Sequence, residues 1–317
     1  MPELPDVTVY VEQLERRLVG ATLTRVRVKG VNLLRTAEPP LAAAAGRAVT
    51  GVARLGKQFV IALERELFLA LHLMIAGRLH WKDGARAAAP ARALATFEFS
   101  NGTMWLTEAG TRQRAALHVV TAAGLRALNR RGVEPLTATL DAFRAVLARE
   151  DHTLKRALTD PRLFSGIGNS YSDEILHRAR LSPLQRTRNL DAAASERLWR
   201  ATQEILREWT ERLREQTGTR FPEHVTAFRE GMAVHGRWRL PCPDCGAPVQ
   251  RIVYAENETN YCARCQTAGR LLADRALSRL LKSDWPRTLE ELEGLHAGLD
   301  PGAEAADNSR GPEGGPR

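Results

Sequence analysis

Apolar residues recur at helical spacing near the N-terminus. Val7, Val11, Leu14 and Leu18 fall on one face, which predicts a helix from Asp6 to Leu18. The period then changes to two. Val26 and Val28 alternate with Arg25, Arg27 and Lys29, as in a strand with one buried face. Phe59 to Leu63 and Leu67 to Leu73 are apolar runs of strand length. Phe97 to Phe99 and Met104 to Leu106 flank Asn101-Gly102, a pair suited to the positive φ angles of a tight hairpin turn. One leading helix and several short strands predict a β-rich, sandwich-like domain over residues 1–135. The Ala-rich stretch 85–95, with Pro90, reads as a surface loop.

After Pro135 the pattern becomes helical. Ala142 to Arg149, Thr153 to Leu158, Ser172 to Arg180 and Ala192 to Leu213 are all expected helices. In the last, Leu198, Ala201, Ile205, Trp209 and Leu213 mark one apolar stripe. Residues 136–235 therefore read as a helical domain, and 236–275 as a small module carrying the cysteines. An extension over 276–317 follows. Its last 17 residues hold seven Gly or Pro and no aromatic, so disorder is expected there. The fold class is α+β, and no internal repeat is visible.

The chain has 317 residues, which allows about two domains, and 44% of them are hydrophobic, enough for real cores. The net charge of +9 suits a polyanionic partner such as nucleic acid, although basic charge alone does not separate DNA binders from other basic proteins. No run of about 18 apolar residues is present, so no membrane span is expected. The opening MPELPDVTVY lacks the basic and apolar regions of a signal peptide, and a cytoplasmic protein is expected.

All four cysteines lie between 242 and 265. Cys242-Pro-Asp-Cys245 and Cys262-Ala-Arg-Cys265 are two CxxC pairs, and each such turn lets two thiolates reach one ion. Together they predict one closed, structural zinc site. Four unrelated buried thiols or a redox pair are the alternatives, and a redox pair needs no second CxxC. Arg237, Arg239, Arg251, Arg264 and Arg270 surround the ligands. They form either a phosphate-facing surface or a solvated basic face.

Proline at position 2 permits removal of Met1, which leaves a secondary amine. Such an amine can attack an electrophilic sugar carbon and form an iminium. Glu3 beside it can move protons during ring opening. Lys57, after Gly56, is by itself as consistent with a solvated surface charge. Gly166-Ile167-Gly168-Asn169 can bring backbone amides together before a helix near Ser172, where they would bind a phosphate, or it can be an ordinary turn.

These segments together resemble the formamidopyrimidine-DNA glycosylase / endonuclease VIII family. MPELPDV resembles the family opening MPELPEVE. Gly56-Lys57-Gln58-Phe59 resembles its β-hairpin lysine, and the stretch from Gly166 to Leu176 its helix–two-turn–helix. The paired CxxC segment resembles its zinc finger. The match spans residues 2–270. The resemblance implies that the Pro2 amine attacks C1′ of a damaged nucleotide and that Glu3 donates the proton that opens the sugar. It implies that Lys57 assists the β-elimination that nicks the strand and that Lys155 binds phosphate. Asn169 can add a donor to the same DNA-binding surface, where Tyr171 is either a contact or a packing residue. It further implies a monomer with one structural zinc, acting on damaged double-stranded or partly single-stranded DNA at the nucleoid.

The sequence departs from the family at recognition positions. The family's His-Leu-Gly-Met fills the hole left by a flipped base. Here the stretch is His72-Leu73-Met74-Ile75, so Ile75 takes the filling slot. The family's Asp-Pro-Arg-Arg-Phe-Gly wedge is replaced by Glu108 to Arg114, with no aromatic between Trp105 and Phe143, which leaves Arg112 as the side chain that can enter the duplex. The family arginine five residues before the third cysteine is Asn257 here, so weak δ-elimination is expected. Glu150 and Asp151 stand where basic residues often precede Lys155. The reading is a bifunctional glycosylase and abasic-site lyase of base excision repair with altered damage recognition. Its rival is a non-excising damage-binding protein of the same fold. A zinc hydrolase is excluded, since four cysteines leave no open coordination position.

Overall fold

The computed structural model describes residues 1–30, 32–84, 88–109, 112–223, 229–254, 257–273 and 286–299, and of residues 254, 257 and 295–299 the backbone alone. Helix α1 spans Leu4–Leu18. It starts two residues earlier than the apolar period indicates. Pro5 is tolerated in a first turn, where an amide hydrogen has no helical partner, and the Asp6 carboxylate takes the free Glu3 amide at 2.8 Å.

Eight strands follow: β1 (Thr22–Val28), β2 (Arg47–Leu55), β3 (Gln58–Leu63), β4 (Leu67–His72), β5 (Gly77–Asp83), β6 (Ala95–Phe99), β7 (Gly102–Glu108) and β8 (Ala116–Thr121). They form one antiparallel sheet in the order β5-β7-β6-β1-β2-β3-β4-β8. β1 and β2 meet at only two residue pairs, Thr22 with Ala48 and Leu23 with Arg47. The sheet therefore divides there into two halves, and these share one core. Phe59, Ile61, Leu69 and Leu71 from one half are buried with Leu79, Phe97, Phe99 and Met104 from the other. This is the sandwich-like architecture that the strand pattern predicts. A hairpin does join β6 to β7 at Asn101-Gly102, pairing Phe97 with Met104, but Gly102 is already the first residue of β7 and neither residue has the positive φ expected of it. In the predicted loop 85–95, residues 88–94 carry no helix or strand, Ala95 opens β6, and 85–87 lie outside the described residues.

The helical part comprises α2 (Ala122–Leu128), α3 (Leu140–Leu147), α4 (Leu154–Thr159), α5 (Asn169–Arg178) and α6 (Ala192–Thr217). The predicted stripe of α6 is buried along its whole length. It closes a second core with Phe143, Phe164, Ile167, Tyr171 and Ile175. Leu4 also belongs to this core, whereas Val7 and Tyr10 of the same helix belong to the first. Helix α1 is thus shared between both cores. Arg214 on α6 pairs with Glu12 at 2.6 Å, and Gln13 Nε2 donates to the Gly218 carbonyl at 2.9 Å.

The cysteine module is the hairpin β9 (Val249–Tyr254) and β10 (Asn257–Cys262) with the short helix α7 (Ala263–Thr267). Val249, Ile252, Tyr261, Leu271 and Leu289 form its core. A helix α8 (Leu289–Leu299) falls within the extension, and the final 17 residues lie outside the described ones. No helix among the described residues is long and apolar enough to cross a membrane.

Candidate active site

Residue 2 is buried at the tip of α1, and Glu3 beside it is 2% exposed. The Glu3 carboxylate reaches into the helical part of the molecule. Its oxygens accept the backbone amides of Gly168 at 2.7 Å, Ser170 at 2.8 Å and Tyr171 at 3.3 Å. These amides open α5, where unpaired N–H groups and the helix dipole favour an anion. The converging amides expected to hold a phosphate are therefore taken by a side chain of the protein itself. This also explains why α5 begins at Asn169 and not near Ser172: the carboxylate caps the extra turn.

Lys57 meets Glu3 at the same point. A Cβ added to Gly168 would lie 2.5 Å from Glu3 Cδ and 2.6 Å from Lys57 Nζ. Burial pushes the Lys57 amine below its ordinary range; the Glu3 charge opposes this and the Lys155 charge adds to it. A lysine so disposed gives up its proton more readily than an exposed one and is more often the free amine that can accept one. The turn that carries it is fastened from below. Arg54 Nη1 donates to the Gly56 carbonyl at 2.9 Å, and Arg54 also pairs with Glu134 at 2.5 Å. Gly56 itself has φ +63°, a conformation that favours glycine.

His72 is a member of this site that the sequence reading did not single out. It pairs with Gln58 across β3 and β4, next to Lys57. Burial, followed by the charges of Lys57, His118 and the N-terminus, pushes its pKa down to about 4. Its Nδ1 accepts the Met74 amide at 3.0 Å, so the ring also shapes the loop before Ile75. The available signal was the His72-Leu73-Met74-Ile75 stretch, already notable for Ile75. Burial lowers the pKa of the amine that Met1 carries at this place.

Lys155 and Asn169 lie around the same helix start. Lys155 Nζ donates to the Asn169 carbonyl and to Asp173 Oδ1, both at 2.6 Å. The other Asp173 oxygen meets His235 Nδ1 at 2.8 Å. Asn169 Nδ2 donates to the Glu258 carbonyl of the cysteine hairpin at 2.8 Å. Lys155 thus ties α4 to α5 and Asn169 ties α5 to the hairpin, and each side chain retains further donor hydrogens. Tyr171 does not offer its side chain to a ligand. Its ring is 1% exposed and lies edge-on to Trp209 at 6.0 Å; its contribution to the site is the amide given to Glu3. Of its two readings, contact and packing, the side chain's placement supports packing: the ring fills the α5–α6 interface.

Ile75 is 54% exposed on the β4–β5 loop, consistent with a side chain free to enter a vacated stack. Met74 has φ +53°, which accounts for glycine being favoured at this place and makes the methionine backbone strained. Arg112 is exposed, and its neighbours Gly110 and Thr111 lie outside the described residues. Asn257 opens β10 opposite Tyr254, and its side chain lies outside the described residues.

The ligand atoms of Cys242, Cys245, Cys262 and Cys265 all lie within 4.8 Å of one another, with all four thiols free. The Cys242–Cys265 sulfur separation is 3.9 Å and the Cys245–Cys262 separation 3.4 Å. Zinc–sulfur bonds of about 2.3 Å place the corners of a tetrahedron roughly 3.8 Å apart, so the four sulfurs fit one zinc ion. The site is closed and structural.

Family models match three stretches. Residues 1–117 match the formamidopyrimidine-DNA glycosylase N-terminal domain, 132–221 its H2TH domain, and 239–268 a zinc finger found in FPG and IleRS. The formamidopyrimidine-DNA glycosylase of Thermus thermophilus is 35% identical over 279 residues, covering 85% of this chain and all of that protein. The crystal structure of the MutM (Fpg) protein from the same organism superimposes with a TM-score of 0.71 at 33% identity, covering 84% of this chain and 98% of that one. The Lactococcus lactis Fpg, in complex with DNA containing an abasic site, has the same fold, with a TM-score of 0.74 at 23% identity over 84% of this chain and 99% of that one. In sequence, in fold and in the order of its three matched segments, the chain belongs to the formamidopyrimidine-DNA glycosylase family.

Proposed function

We propose that this protein is a bifunctional DNA glycosylase and abasic-site lyase of base excision repair, acting on damaged DNA through the amine of Pro2. One observation carries the reading: the carboxylate of Glu3, the residue next to Pro2, and the Lys57 amine converge at Gly168. After removal of Met1 the Pro2 nitrogen attacks C1′. The glycosidic C1′–N bond breaks and its electron pair leaves with the base. The Pro2 nitrogen gives its proton to the Glu3 carboxylate, its lone pair then expels O4′ to give an iminium, and Glu3 passes the proton on to O4′. Lys57, its pKa lowered by burial, takes a proton from C2′, and the 3′ phosphate leaves. The target nucleotide must leave the stack for Pro2 to reach C1′, at a cost of a few kcal/mol that is smallest at a damaged or unpaired base.

Borohydride reduction tests the intermediate. The mature protein should be trapped covalently on abasic-site DNA. Extra residues ahead of Pro2, which keep its nitrogen in an amide, should abolish trapping. Undiminished trapping with a blocked N-terminus sinks the Pro2 assignment. No trapping by the mature protein, with DNA binding retained, supports the rival reading of a non-excising damage-binding protein.

A further inference from the structure

Helix α5 is engaged at both ends. Its first turn holds Glu3, and its last turn carries His177, a residue the proposed reaction does not use. His177 is 3% exposed and faces the cysteine cluster. Its Nε2 lies 3.3 Å from Cys242 Sγ and 4.0 Å from Asp244 Oδ2. A side chain of Asp244 and the sulfur of Cys265 come within 4.8 Å of the same ring. Four cysteines already complete a tetrahedron, so the imidazole has no coordination position to fill. A zinc-bound thiolate carries no proton and can only accept a hydrogen bond. The ring atom facing it must therefore be an N–H.

We propose that His177 is a positioning residue of the zinc site, donating Nε2–H to the Cys242 thiolate and fastening the first CxxC turn to α5. The bond disperses thiolate charge without removing the thiolate from the metal, and it orients Cβ–Sγ toward the cluster centre. Outer partners of this kind typically change metal affinity ten- to a hundredfold when removed. The second CxxC turn has a matching latch made of different groups. Gln266 Oε1 accepts the Cys262 amide at 2.8 Å, and its Nε2 donates to the Leu181 carbonyl at 2.9 Å, just past the end of α5. Each CxxC turn is thereby tied by one side chain to the same helix or its exit, the helix whose start holds Glu3. The inference concerns the metal site alone and stands whether or not the protein excises bases.

The test uses the full-length, zinc-loaded protein. Zinc transfer to a coloured chelator is timed for the native protein, His177→Phe and His177→Gln. Phenylalanine keeps a ring and loses the donor; glutamine loses the ring and keeps an N–H donor. His177→Phe should release zinc about tenfold faster or more. His177→Gln should fall between it and the native protein. If the ring only fills space, His177→Phe will match the native rate and His177→Gln will be the faster; that order overturns the proposal. A measurement on the unmutated protein keeps the question open to refutation should a variant misfold. Long-range proton–nitrogen correlation spectra at neutral pH should show the His177 proton on Nε2. An unprotonated Nε2 overturns the assignment.

Discussion

Glu3 Oε1 accepts the Ser170 amide at 2.8 Å, although 167 positions separate the two residues. The carboxylate at the chain's start is thus held by a helix start in another part of the fold. The position of residue 2 then depends on α5 as much as on α1.

Gly168 has no side chain because the site occupies its space. An alanine Cβ would lie 2.5 Å from Glu3 Cδ and 2.6 Å from Lys57 Nζ. Gly168→Ala should displace both groups and cost on the order of 100-fold in single-turnover excision and nicking, the loss expected for about 1 Å of misplacement. Thermal melting should show the fold retained. Native turnover in Gly168→Ala would mean that neither group needs its present position.

His72 ties the site to pH. Its folded pKa of about 4 lies below the ordinary 6.5. Between these values the unfolded chain binds more protons than the folded one, so stability rises with pH through that window. The neutral ring makes its full contribution above about pH 6.5, and this is lost as pH falls toward 4. The span corresponds to about 3 kcal/mol. Denaturant titrations at pH 7 and pH 4.5 should show the drop, and His72→Gln should flatten it. An equal drop in both proteins would assign the acid sensitivity to other groups.

Ile75 and Arg112 bear on which damage is accepted. An apolar side chain can fill the gap left by a flipped base, yet Ile75 has no ring to stack on the neighbouring bases. Aromatic stacking is worth about 1–3 kcal/mol per base in comparable single-strand contacts. Excision of 8-oxoguanine opposite cytosine in an intact duplex should therefore be weak. Ring-opened, ring-saturated or abasic nucleotides in bubbles, near gaps or in single strands should be processed better. Ile75→Ala should lower rates on paired duplex more than on bubbles. Efficient, cytosine-selective removal of 8-oxoguanine from intact duplex would contradict this.

The zinc site supports the hairpin and takes no part in the chemistry. One zinc per chain is expected by elemental analysis. Cys262→Ser should lower zinc content and weaken DNA binding, because the Glu258 carbonyl that receives Asn169 Nδ2 sits on the same hairpin. Metal-free native protein with freely titrating thiols would remove the site.

The sequence by itself determined the elements whose signals are local. The stripe from Leu198 to Leu213, the β6–β7 hairpin and the two CxxC pairs each read correctly, because helical period, the break between two apolar runs and ligand spacing act within a few residues. Strands β2, β5 and β8 escaped the reading. β2 has a register irregularity between Val49 and Gly51 that interrupts its alternation, and helix α2 buries none of its residues and so leaves no apolar stripe. Pro2 and Glu3 suggested amine and proton chemistry by residue type, Lys57 stood out through resemblance alone, and nothing in the sequence of these segments brings the three together. Only the tertiary structure decided that Glu3, and not a phosphate, occupies the amides before α5. It decided between contact and packing for Tyr171, and it alone placed His72 beside Lys57. The physical reason is that a buried carboxylate, an orphaned helix start and a desolvated lysine satisfy one another across segments far apart in the chain, so their pairing is a property of packing and leaves no periodic trace in the sequence.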